Sequence, residues 1–96
     1  MNAIAIGRSA CAIGQGTAVG RLANASGGSA TAIGVTANAS NTSTTAIGQA
    51  ASASGTSATA IGNKSICARD YSASFGYNAV MNITHSTYSM MLGATS

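Results

Sequence analysis

Ninety-six residues, 46% of them hydrophobic, carry four basic side chains and one acidic one, for a formal net charge of +3. That length sets one domain, residues 1–96, and because nearly half of the apolar residues are alanine, whose side chain buries little area, a lone chain would have a thin core. With Asp70 the sole carboxylate side chain and His85 the sole histidine, a Ser-His-Asp triad is formally available but no activating pocket is implied, so no enzyme activity, cofactor or metal site is expected.

The chain opens with an irregular coil over residues 3–17. From Ala5-Ile6-Gly7 it is one residue shorter than the fourteen-residue period that follows, and it carries Ile13 where later units carry Ser26, Ser40 and Ser54. An apolar residue there predicts burial against another module or a local adjustment of the core. Arg8 and Arg21 each follow a corner glycine in adjacent units and should sit near one another, either as a basic patch for anionic glycans or as two solvated corner residues.

Residues 18–59 form the regular body. Ala30-Thr31-Ala32-Ile33-Gly34 returns at Thr44 to Gly48 and at Ala58 to Gly62, fourteen residues apart each time. A strict internal repeat decides the architecture before any other signal. Each half-unit reads as about five alternating residues closed by Gly or Asn, the pattern of a short strand and a tight turn. Two strands per unit make a coil, and fourteen residues are too few for a helix-containing repeat. The expectation is an all-β solenoid in which each coil pairs with the next in parallel. Gly20, Gly34, Gly48, Gly62 and Gly76 share one corner and are expected at positive φ, with Asn41 replacing Gly27 and Gly55 at the other corner as a residue that tolerates the left-handed region.

The same body holds two hydroxyl columns, Thr17, Thr31, Thr45 and Thr59 beside Ser29, Ser43 and Ser57. If both lie on one strand face they make a Ser-x-Thr ladder of the kind that orders water on ice-binding solenoids. Against that use, Ile33 continues the alternation of Thr31, which places the face inside the roll or in an interface.

Residues 60–93 are looser. Lys64, Ile66, Cys67, Arg69, Asp70 and Tyr71 replace small residues, and Arg69 with Asp70 can form an exposed corner ion pair worth about 0–1 kcal/mol. Phe75 takes the place of the repeating isoleucine and is assigned to the core; Tyr77 follows a corner glycine and is assigned to the surface. The last unit needs seventeen residues to reach Gly93, so three extra residues bulge between Asn82 and Tyr88, in a loop that includes His85. Tyr71, Tyr77, His85 and Tyr88 are the receptor-contact candidates, tyrosine being favoured in binding patches. Cys11 and Cys67 fall on opposite strand faces about four coils, or roughly 20 Å, apart, beyond disulfide reach. Two thiols favour assembly in a reducing cytoplasm, as in a virus, over export.

The repeating Ala-Ile-Gly-x-x-Ala-x-Ala-Ser-Gly unit resembles the head repeats of YadA-type trimeric autotransporter adhesins, and similar units occur in bacteriophage tail and capsid fibres. The resemblance covers roughly residues 3–81 and is strongest over 16–62. It implies a left-handed parallel β-roll, a homotrimer about a threefold axis, and display on a surface for attachment. The expected partners are two further copies of the chain, a host-surface glycan or protein receptor, and an adjoining fibre or coat module, on a virion surface or alternatively a bacterial cell surface. No nucleic acid partner is expected. No stretch approaches about twenty uninterrupted apolar residues, so no membrane insertion is expected either.

Overall fold

The computed structural model describes residues 3–68, 70–81 and 90–93. They form a parallel β-solenoid of about five turns. One seven-stranded sheet comprises β1 (Ile4–Ile6), β3 (Thr17–Val19), β5 (Thr31–Ile33), β7 (Thr45–Ile47), β9 (Thr59–Ile61), β11 (Ala73–Phe75) and β13 (Met90–Leu92). The second, six-stranded sheet comprises β2 (Cys11–Ala12), β4 (Asn24–Ala25), β6 (Asn38–Ala39), β8 (Ser52–Ala53), β10 (Ile66–Cys67) and β12 (Val80–Met81).

The register follows the repeat. Thr31 pairs with Thr45 and Thr45 with Thr59, a step of one period, whereas Ile4 pairs with Thr17 across the short first coil. The residue missing from that coil lies at the second corner, where Ile13-Gly14-Gln15-Gly16 replaces the longer Ser26 to Ala30 turn. At the other end Ile66 pairs with Val80, one period on, but Ala73 pairs with Met90, seventeen residues on; the bulge expected between positions 82 and 88 lies outside the described residues.

Two small-residue columns hold the sheets together. The middle residue of β3, β5, β7 and β9 points inward, Ala18, Ala32, Ala46 and Ala60 in turn, and it meets the second residue of the short strands, Ala25, Ala39, Ala53 and Cys67. All are fully buried. Because alanine reaches only one carbon from the backbone, the sheets approach closely, and the molecule measures 34 × 22 × 14 Å, a thin slab. In the fifth turn the inward positions become Ser65 and Ser74, and the Ser65 hydroxyl donates to the Ser74 carbonyl at 2.9 Å while the Ser74 hydroxyl donates to the Ala79 carbonyl at 3.0 Å. Buried hydroxyls are tolerated there because each finds a partner.

The first corner explains its glycines more strictly than positive φ alone. Gly34 has φ +130°, and a Cβ built on it would stand 2.6 Å from the carbonyl oxygen of Gly48 in the next coil. Stacked glycines therefore touch through their backbones. Left-handed geometry is carried instead by the residue two places further on, which is not glycine: Thr36 (φ 59°), Ala50 (φ 62°) and Lys64 (φ 61°). Ladder bonds hold these turns in place, for example from the Thr36 amide to the Arg21 carbonyl at 3.0 Å.

At the second corner the expectation for Asn41 is corrected. The left-handed residues are Ser29, Ser43, Ser57 and Tyr71, and Asn41 is not among them. Asn41 acts through its side chain, accepting from the Thr42 amide at 2.8 Å and donating to the Ser54 carbonyl at 3.1 Å. Gly27, at the equivalent place, is required by close approach, since a Cβ there would collide with the Asn41 carbonyl.

Candidate functional site

In a strand whose middle residue points inward, the first and third must point out. The long sheet therefore displays two parallel columns on its outer face: Thr17, Thr31, Thr45 and Thr59 in one, and Val19, Ile33, Ile47 and Ile61 in the other. In the single chain Ile33 is 37% exposed and Ile6, heading the column, 59%. Phe75 continues this column between Ile61 and Leu92, so its assignment to the core is corrected: it lies half-buried on the outer face, because the position is outward in every coil.

The outer face of the short sheet is different in kind. Its outward column runs Asn24, Asn38 and Ser52, with Ser40 and Ser54 beside it. Only its ends are apolar, with Ile13 and Cys11 exposed at one, and Ile66, exposed, beside Val80, half-buried, at the other. One slab thus carries a β-branched apolar face and a polar face. Contiguous exposed apolar surface marks an interaction site in a soluble protein.

The threonines of the hydroxyl array do project outward as one column. Ser29, Ser43 and Ser57 do not share their strand; each sits in the preceding turn, at φ 58°, 57° and 57°. The ladder is accordingly Thr-Ala-Ile, hydroxyl beside hydrocarbon, and not Ser-x-Thr on one strand face.

The receptor-contact candidates separate by location. Tyr77 stands at the first corner and is 64% exposed; Tyr71 stands at the second and is 51% exposed. They occupy opposite edges of the slab, with Ile66 and Val80 on the short sheet between them. His85 and Tyr88 lie outside the described residues, as does Arg69 of the expected ion pair. Asp70 is described, and its carboxylate accepts the Thr56 amide of the preceding coil at 2.9 Å. Arg8 and Arg21 are stacked at the first corner as expected, the Leu22 amide donating to the Arg8 carbonyl at 2.9 Å. Cys11 is exposed and Cys67 buried, and neither forms a disulfide.

Sequence reasoning had singled out the Thr and Ile columns but could not choose between the interior and the outside. The signal that would have found the outward face is size: from Ala18 to Ser74 only alanine, serine or cysteine occupies the strand positions that face inward, and the larger Ile cannot share so thin a core.

The model of the YadA head domain repeat matches overlapping windows at residues 15–37, 25–49 and 39–65, together just over half of the chain. No curated protein matches it.

Proposed function

From the chain's membership of the YadA head domain repeat family, whose head domains form homotrimers in general and are surface-exposed, we propose that it is a homotrimeric, left-handed β-roll segment of an attachment fibre. The observation that carries this reading is the outer face of the long sheet. An isoleucine taken fully out of water gains about 1.5–3 kcal/mol, and the Ile column leaves that gain partly unrealised in a single chain. Three slabs turned face-inward about a threefold axis complete the burial along the whole length. They also supply the core that an alanine interior lacks.

The function is geometric and not enzymatic. A rigid trimer repeats each corner residue three times, and multivalent presentation converts weak contacts with a host glycan or protein into avidity. Tyr71, Tyr77, His85 and Tyr88 are the proposed contact residues, and a virion fibre is the proposed setting, with a bacterial cell surface as the alternative. The two cysteines favour the virion because thiols suit assembly in a reducing compartment.

One observation favours a rival reading, ice binding. The column Thr17, Thr31, Thr45 and Thr59 is regularly spaced and faces outward, which an ice-binding surface requires. Light scattering together with an ice-shaping assay separates the two. A mass near three times 9.2 kDa with unshaped ice supports the fibre; a monomer with faceted ice refutes it. Binding of the trimer to cells or glycans then separates an attachment fibre from a purely structural virion spacer.

A further inference from the structure

Among the described residues the two edges of the slab differ in charge; Arg69, beside Asp70 in the sequence, is not one of them. The first-corner edge carries every described cation, Arg8 and Arg21 in the first two coils and Lys64 in the fifth. The second-corner edge carries the chain's one carboxylate side chain, that of Asp70. Lys64 and Asp70 belong to the same coil, on opposite sides of β10 (Ile66–Cys67). Both are exposed.

We propose that Lys64 of one chain pairs with Asp70 of the next, and that this contact closes the ring of three chains at each vertex. The inference rests on the trimer reading above and adds the register of its edges. When identical flat slabs turn the same face toward a threefold axis, the first edge of one must meet the second edge of the next, a heterologous contact that closes on itself. Pure rotation leaves no axial offset, so residues of the same coil meet. A coil rises about 4.8 Å, and the two corners of one coil therefore differ by only about 2.4 Å in height, which a lysine side chain spans.

The other coils raise no conflict. In the register that sets Lys64 against Asp70, Leu22 would face Gly28, where an added Cβ meets nothing within 4 Å and room remains for the larger side chain. Ala50 would face Thr56, and the Gln49 side chain beside it is tied to Asn63 through an amide contact of 3.0 Å. No described cation meets another across a vertex. Asp70 is also pre-positioned, since its bond to the Thr56 amide fixes one carboxylate oxygen and a carboxylate can accept further donors.

The test is a charge swap on the full chain, read as trimer dissociation on dilution by light scattering. K64D and D70K each place like charges at all three vertices and should raise the concentration at which half the trimer dissociates by about tenfold or more. K64D/D70K should return to within about threefold of wild type. Aspartate is suited to the left-handed backbone at position 64. D70N keeps an oxygen for the Thr56 amide while removing the charge, and should also weaken the trimer, which separates charge from local structure. A K64D variant as trimeric as wild type, or a double variant no better than the single ones, would overturn the contact while leaving the trimer standing. A monomeric wild-type chain would overturn the trimer reading and the contact with it.

Discussion

Replacing Gly34 by alanine tests the stacked corner directly. At φ +130° the backbone is one that L side chains rarely adopt, and holding alanine there costs about 1–3 kcal/mol. The new methyl would also lie 2.6 Å from the oxygen and 2.7 Å from the carbon of the Gly48 carbonyl. Gly48 cannot retreat freely, because its amide donates to the Ile33 carbonyl at 2.7 Å and is part of the same ladder. Overpacking of this kind adds about 1–3 kcal/mol. The sum is about 2–6 kcal/mol. In a domain of this size each kcal/mol moves the melting midpoint by about 4–8 °C, so G34A should melt at least about 8 °C below wild type. The control is Gly28→Ala at the other corner, where a Cβ meets nothing within 4 Å and φ is not positive; it should be neutral or stabilising by up to about 1 kcal/mol. Thermal melts followed by circular dichroism at one protein concentration measure both. A G34A melt within about 3 °C of wild type, or equal losses in the two variants, would refute the argument.

On the outer face of the long sheet, Ile33→Asp should break the trimer, while Ser40→Asp on the short sheet should leave the mass in light scattering unchanged. In the fifth turn, Ser65→Ala and Ser74→Ala should each cost about 0.5–1.5 kcal/mol in urea unfolding, but the double variant should cost less than their sum, since it restores the alanine columns and leaves no hydroxyl unpaired. A thiol reagent should modify Cys11 in the native protein and Cys67 only after unfolding, giving one reactive thiol per chain before denaturant and two after. Tyr71→Ala and Tyr77→Ala should weaken cell or glycan binding without changing the mass; unchanged binding would remove them from the contact.

A fourteen-residue repeat with alternation in each half admits few shapes, and Ala32, Ile33 and Gly34 recurring at Ala46, Ile47 and Gly48 determined the coil, its parallel register and its first corner without any structure. The short first coil and the seventeen-residue last one were legible for the same reason, because a repeat makes every insertion and deletion countable. Sequence could not decide which side of the strand faces inward. Thr31 and Ile33 alternate with Ala32, and alternation by itself says only that they lie opposite it. The tertiary structure decided, through the narrow gap between the sheets: alanine fits it and isoleucine does not, so the larger residues, Phe75 included, were turned outward. The second corner was equally closed to sequence. Gly27 and Asn41 are the residues whose own preferences suit the left-handed region, yet that conformation falls to Ser29 and Ser43, where the ladder to neighbouring coils fixes the turn and outweighs the preference of any one residue.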